Sequence, residues 1–189
     1  DPDNFMCSDN IEKAAKKHGL RDGESEFIWY KVFGNDYSNG KNFREREWFI
    51  LNSLAPSLEL SMDDEDLPFS VKPDEKVDVR KVMELLRSTY EGTELDMTRN
   101  LKIVNRKGDT IVSPNANPWM GSLDVDTYNM LAPNSVEFQR TVSVSWCSYS
   151  FVAQLRNWMP NEIGGILWYS VENPGQSPRI PIFTGPTEL

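Results

Sequence analysis

Cysteine, histidine, serine and paired carboxylates are the groups in this chain whose spacing can be tested against known reaction chemistry. A cysteine nucleophile needs a base that holds it as thiolate. The chain offers Cys7, Cys147 and a single histidine, His18. Cys7 and His18 fall at opposite ends of one expected helix, so a dyad between them would require the chain to fold back on itself. A histidine at a helix C-terminus is accounted for by the helix dipole. Cys147 sits in WCSYSFVAQLR, between tryptophan and tyrosine in strand-like sequence. It can be a catalytic thiol, half of a disulfide with Cys7, or core filling, and cysteine's tendency to be buried favours the last.

Other chemistries are poorly served. A serine triad wants histidine as its base, and zinc wants clustered Cys and His. Asp63, Asp64, Glu65 and Asp66 lack the alternating acids and central glycine of a calcium loop, and read as a solvated acidic stretch. Glu91, Glu94 and Asp96 in YEGTELD raise a paired-carboxylate glycosidase, but acids at a helix exit also cap and brace. GGILW has no following Lys-Ser/Thr for a phosphate loop. No metal and no cofactor is expected. A net charge of −9 argues against a nucleic-acid partner, since phosphate binding needs surplus Lys and Arg. No apolar run reaches bilayer-spanning length, so no membrane-spanning segment is expected. The opening DPDNFMCSDN has neither the basic start nor the apolar middle of a signal peptide.

Arg140 stands out by pattern. In FQRTVSVSW, Phe138, Arg140, Val142, Val144 and Trp146 alternate with Gln139, Thr141, Ser143 and Ser145. That is a strand signature whose apolar face should be buried. A guanidinium on that face either reaches solvent at the strand end or is buried, holding a carboxylate or polarising a site.

The elements that must position these groups change character along the chain. Ser8 or Asp9 caps IEKAAKKHG, with Gly19 as its stop; Ser25 caps SEFIWYKVFG, ending at Gly34; REREWFILNSLA stops before Pro56. Trp48, Leu51 and Leu54 share one face of that third helix. ELSMDDEDLPFSVKPDEK reads as an exposed excursion. Asp78 caps VRKVMELLRSTYEG, whose stripe is Val79, Val82, Met83 and Leu86 and whose end is Gly92. NLKIVNRKGDTIVSP reads as a hairpin turning at Arg106-Lys107-Gly108-Asp109, followed by NANPWMGS as loop. GGILWYSVEN and RIPIFTG are further strands around the turn PGQSP. The chain therefore reads as one segment, mainly helical over 1–92 and mainly strand over 93–189. Its fold class is α+β, with an antiparallel sheet.

SDNIEKAAKKHGL, SLAPSLEL with PFSVKPDEKV, YEGTELDMTRNL, SPNANPWM, RTVSVSWCSYSFVAQLRNWMP and IGGILWYSVENPGQSPRIPIF occur in this order. Together these blocks resemble the dipeptidase family of N-terminal-nucleophile cysteine peptidases, related to secernins and more distantly to penicillin V acylase and bile-salt hydrolase. NPWM and NPGQSPRIPIF are most similar to Bacteroidetes-type bacterial members. The resemblance implies a four-layer αββα sandwich, of which this chain would supply a helical layer and part of an antiparallel sheet. It also implies hydrolysis of dipeptides or short peptides by an N-terminal cysteine whose own α-amine is the base, a scheme needing no histidine. Asp1 cannot play that part, Cys7 is not first, and Cys147 lies in the strand block. The expectation is an internal section that lacks the nucleophile and is inactive alone, partnered by short peptide substrate and by the remainder of its own polypeptide.

By resemblance, Arg140 is the best equivalent of the central-strand arginine at the relatives' catalytic centre, and Tyr149, Ser150 and Asp96 line or brace the pocket. The relatives' oxyanion asparagine finds no match here; Asn117 is a temptation, but NPW reads first as a turn. Relatives of this type are often exported, which leaves the compartment open, as it leaves a homo-oligomer open. Two rival readings are a non-catalytic binding module of the same fold and an amidase acting on acylated small molecules.

Overall fold

A computed structural model describes residues 8–21, 24, 26–34, 41–64 and 66–185. The chain divides into two compact units, Asp1–Arg44 and Glu45–Leu189.

In the first unit, α1 (Ile11–Lys17) ends where glycine permits a left-handed residue. Gly19 has φ +69°, its N–H bonds the carbonyl of Lys16, and Leu20 N–H bonds that of Ala15. This is a Schellman closure, so the sequence signal at Gly19 was physical. The start differs from expectation. Asn10 occupies the cap position without a side-chain cap bond, and Ser8 Oγ bonds the Asn10 carboxamide at 2.6 Å. Helix α2 (Trp29–Phe33) carries Trp29 and Phe33, whose rings lie 4.6 Å apart, with Phe27 edge-on to both. The expected Ser25 cap lies outside the described residues, as does Cys7.

Helix α3 (Lys41–Leu54) stops before Pro56 as its sequence requires. In its part within the second unit, Trp48 Nε1–H donates to the carbonyl of Leu60 at 2.7 Å. Trp48, Leu51 and Leu54 are half-buried, and Ala55 is fully buried. The described residues of the excursion over 59–76 form neither helix nor strand, and Asp74 ties it down by accepting from the Ser57 N–H and hydroxyl. Asp78 caps α4 (Val79–Arg87) by accepting from Lys81 N–H at 2.8 Å.

Helix α4 ends at Arg87, short of the expected Gly92. The reason is local competition for hydrogen bonds. Glu91 accepts from Ser88 Oγ at 2.7 Å, Thr89 N–H at 3.0 Å and Thr89 Oγ1 at 2.9 Å. These bonds fold the chain into a turn, Ser88 is extended, and Tyr90 takes φ +68°.

The hairpin falls as read. β1 (Lys102–Val104) pairs antiparallel with β2 (Thr110–Val112), and Gly108, at φ +90°, supplies the left-handed turn residue. Helix α5 (Ser122–Leu131) was missed by the sequence reading. It starts after Gly121, whose N–H donates to Asp124 Oδ2 at 2.9 Å. Its Val125 packs with Met97, Met120 and Val136 in a small core, flanked by Leu101, Tyr128 and Phe138.

The main sheet is three-stranded and antiparallel, in the order β3 (Tyr149–Leu155), β4 (Gly165–Val171), β5 (Ile180–Phe183), with the short α6 (Asn161–Gly164) leading into β4. The chain is therefore α+β with antiparallel sheets, as its sequence implied. FQRTVSVSW is not part of the sheet, which is a correction. It runs as irregular chain, and its alternation is inverted: Gln139, Thr141 and Ser143 are buried, whereas Trp146 is exposed. Among the described residues no helix is long and apolar enough to cross a membrane.

Candidate functional site

Ser143 is the centre of a buried polar network that joins three distant stretches. Its N–H donates to the carbonyl of Ser88 at 2.9 Å, and its hydroxyl donates to Asn173 Oδ1 at 2.6 Å. Trp119 Nε1–H donates to the same hydroxyl at 3.1 Å. Thr141 Oγ1 closes back onto the Ser143 carbonyl at 2.8 Å. Asn173 Oδ1 also accepts from Gly175 N–H at 2.9 Å, which pins the turn after β4. Arg87, at the end of α4, holds the other side of that turn through the carbonyls of Pro174 (3.2 Å) and Ser177 (3.4 Å).

This explains the inverted alternation. Small hydroxyl residues fill a site where backbone comes close, and every hydroxyl there finds a partner. Gly175 belongs to the same packing: a Cβ on it would lie 2.6 Å from Ser143 Oγ and 2.8 Å from Trp119 Cζ2. Tyr90 completes the region from the α4 side. It is fully buried, edge-on to Phe49, and its hydroxyl donates to the Arg140 carbonyl at 2.9 Å. Burial, together with the nearby Glu45 carboxylate, pushes its phenol well above the usual range, so it remains a neutral donor.

The sequence candidates are placed in different surroundings. Arg140 does not head a strand and is not enclosed with Val142 and Val144. It is half-buried in the irregular stretch, and its backbone carbonyl, rather than its guanidinium, receives the Tyr90 bond. Phe138, on the same expected face, stacks on Trp146 at 6.4 Å. Asp96 braces its own loop: it accepts from Thr98 N–H (2.8 Å), Thr98 Oγ1 (2.7 Å) and Gly92 N–H (3.3 Å). It also borders a small polar recess with Glu94, Arg99 and Gln139.

Tyr149 and Ser150 are neighbours on β3 and so point to opposite faces of the sheet. Tyr149 stacks on Tyr169 at 5.9 Å, on a face shared with Phe151, Leu155, Val171, Ile180 and Ile182. These large apolar residues are exposed, Leu155 to 81%. A contiguous apolar surface of this kind marks a place where something packs. Ser150 faces the other way, towards the side where Val152 and Ile166 are buried, and its hydroxyl is buried without a hydrogen-bond partner.

Cys147 is a half-buried free thiol that donates to the Tyr149 carbonyl at 3.1 Å. Ser143, Asn173 and Trp119 escaped the sequence reading. Their only signal was that they fall in three separate blocks of the family-like sequence, SPNANPWM, RTVSVSW and VENPGQSP.

The described structure is thus an α+β layer with one apolar sheet face exposed and a buried hydroxyl–amide network behind the turn after β4. The model of peptidase family C69 matches residues 1–189, and the chain belongs to that family. Relatives include a probable dipeptidase of Latilactobacillus sakei, 27% identical over 97% of this chain and 33% of that protein. A probable dipeptidase of Salmonella dublin is 25% identical over 96% of the chain and 35% of its own length. Probable dipeptidase B of Streptococcus pyogenes serotype M1 is 24% identical, covering 96% and 32%. The chain thus spans about a third of the length of the curated relatives it matches. The family resemblance read from the sequence is confirmed.

Proposed function

We propose that this chain is a section of a cysteine-type dipeptidase that hydrolyses dipeptides or short peptides. The observation that carries the reading is the family match over the whole chain, together with relatives that are each called a probable dipeptidase. In this reading the reacting thiol lies outside the described residues. Cys147 supports that, because its thiol donates to the backbone carbonyl of Tyr149 at the start of β3. His18, the chain's one histidine, sits at the end of α1, where its backbone caps the helix. The exposed apolar face of β3, β4 and β5 is where the rest of the polypeptide packs, and the greater length of the relatives supports this.

The test is hydrolysis of a dipeptide panel by the intact gene product, before and after replacement of its first mature cysteine by alanine. Loss of turnover by a factor of at least about 10³ is expected for removal of a nucleophile. Unchanged turnover would eliminate the cysteine mechanism, and no turnover on any dipeptide would eliminate the substrate class. Cys147→Ser is expected to retain activity within a factor of about 3, since Cys147 takes no part in the reaction.

A further inference from the structure

The inward face of the main sheet carries a row of polar side chains that nothing in the described structure satisfies. Ser150 on β3 pairs directly across the ladder with Ser170 on β4. Ile180, the first residue of β5, pairs with Tyr169, so Arg179, which immediately precedes the strand, continues that register towards Ser170. Residues directly opposite one another in a ladder share a face. The Ser150 hydroxyl, the Ser170 hydroxyl and all three guanidinium nitrogens of Arg179 are buried without any hydrogen-bond partner. Ser170 is 1% exposed, whereas Ser150 and Arg179 are half-buried with their polar atoms shielded from solvent.

Among the described residues no carboxylate pairs with Arg179. The groups that act on it are the Arg87 guanidinium, which repels it, and the Cys147 sulfur, which acts in the opposite sense. Burial and then Arg87 pull the Arg179 guanidinium below the ordinary arginine value. Arg87 itself donates to the carbonyls of Pro174 and Ser177. Arg179 is half-buried, yet its guanidinium nitrogens are shielded from solvent with five unused donors, an arrangement that is costly unless an anion completes it.

We propose that Arg179, with Ser170 and Ser150 beside it, is a binding site for a carboxylate. The guanidinium fork matches the two oxygens of a carboxylate in a planar bidentate pair, and the hydroxyls supply further donors along the row. Two sources share that chemistry: the C-terminal carboxylate of a short peptide substrate, and an Asp or Glu side chain from the rest of the polypeptide. The substrate source rests on the dipeptidase reading, whereas the polypeptide source does not.

The experiment uses the intact gene product and its Arg179→Met, Arg179→Lys and Ser150→Ala/Ser170→Ala variants. Two quantities are read: the melting temperature, and KM for alanyl-alanine against alanyl-alanine amide. If substrate supplies the carboxylate, Arg179→Met raises KM for the free acid by about 10- to 100-fold and leaves the amide unchanged. The serine double variant then gives a smaller rise of the same selectivity. If the polypeptide supplies it, Arg179→Met lowers the melting temperature by roughly 5 °C or more, Arg179→Lys recovers part of that fall, and the acid-to-amide ratio is unchanged. Either pattern supports the site. An unchanged or raised melting temperature in Arg179→Met, with an unchanged acid-to-amide ratio, overturns it, because removing an unpaired buried charge should stabilise the protein. A wild type that cleaves no dipeptide would end the peptidase reading and leave the melting temperature to decide the site.

Discussion

Ser143 Oγ donates to Asn173 Oδ1 at 2.6 Å, and this contact joins a stretch ahead of the main sheet to the turn between its second and third strands. Both residues are buried, and each has further partners, Trp119 for the serine and Gly175 for the asparagine. Replacing Ser143 by alanine therefore leaves the Trp119 N–H without its acceptor and the Asn173 oxygen with only the Gly175 N–H. The expected cost is about 1–3 kcal/mol, checked by chemical denaturation of the intact gene product. Ser143→Ala and Asn173→Ala together should cost less than the sum of the single changes, because they share one bond.

Gly175→Ala tests how tightly the same turn is held. The added methyl meets Ser143 Oγ and the Trp119 ring at well under contact distance. Destabilisation of about 1–3 kcal/mol is expected from overpacking, read as a lower denaturation midpoint at unchanged slope. A Gly175→Ala protein as stable as wild type would show that this turn gives way easily.

Glu91 predicts an acid-side loss of stability. Burial pushes its carboxyl upward, but the bonds from Ser88 and Thr89 outweigh that and hold it below its ordinary value of 4.5. A depressed carboxylate stabilises the folded state above the unfolded-state value, and that contribution disappears as pH falls through the folded value. Stability measured from pH 6 to pH 3 should therefore decline less steeply below about pH 4.5 in Glu91→Gln than in wild type. Equal slopes in the two proteins would remove Glu91 from the account.

Tyr90→Phe isolates one buried hydroxyl. The change deprives the Arg140 carbonyl of its donor while the ring keeps its packing on Phe49. About 1–2 kcal/mol should be lost at neutral pH. At alkaline pH the sign is worked from the raised phenol: the unfolded chain ionises near pH 10.0 and the folded one later, so wild-type stability falls as pH rises above that point. The Phe variant should lack this component of the fall.

Much of the architecture was legible in residue order. Gly19 and Asp78 marked helix ends because a left-handed residue and an N-cap carboxylate are local needs. Gly108 marked the hairpin for the same kind of reason. The second and third strands of the main sheet were legible because β-branched and aromatic residues there alternate between turn signals. Helix α5 was missed because SLDVDTYNML carries only a weak apolar stripe, and its Val125 is secured by Met97 and Val136 from outside the helix. Helix α4 was overextended because Glu91 takes hydrogen bonds that continued helix would have left to the backbone.

Residue order by itself determined the family, the α+β class and the local signals that start and stop elements. Tertiary structure decided which side of FQRTVSVSW is interior. Alternation records that two faces differ, yet only the neighbours of each face establish which is buried. Here Ser88, Trp119 and Asn173 supply hydrogen bonds to Ser143, so the polar face goes inside. The same holds for Arg179, whose lack of a paired carboxylate among the described residues becomes visible only when the sheet register carries it towards Ser170 and Ser150.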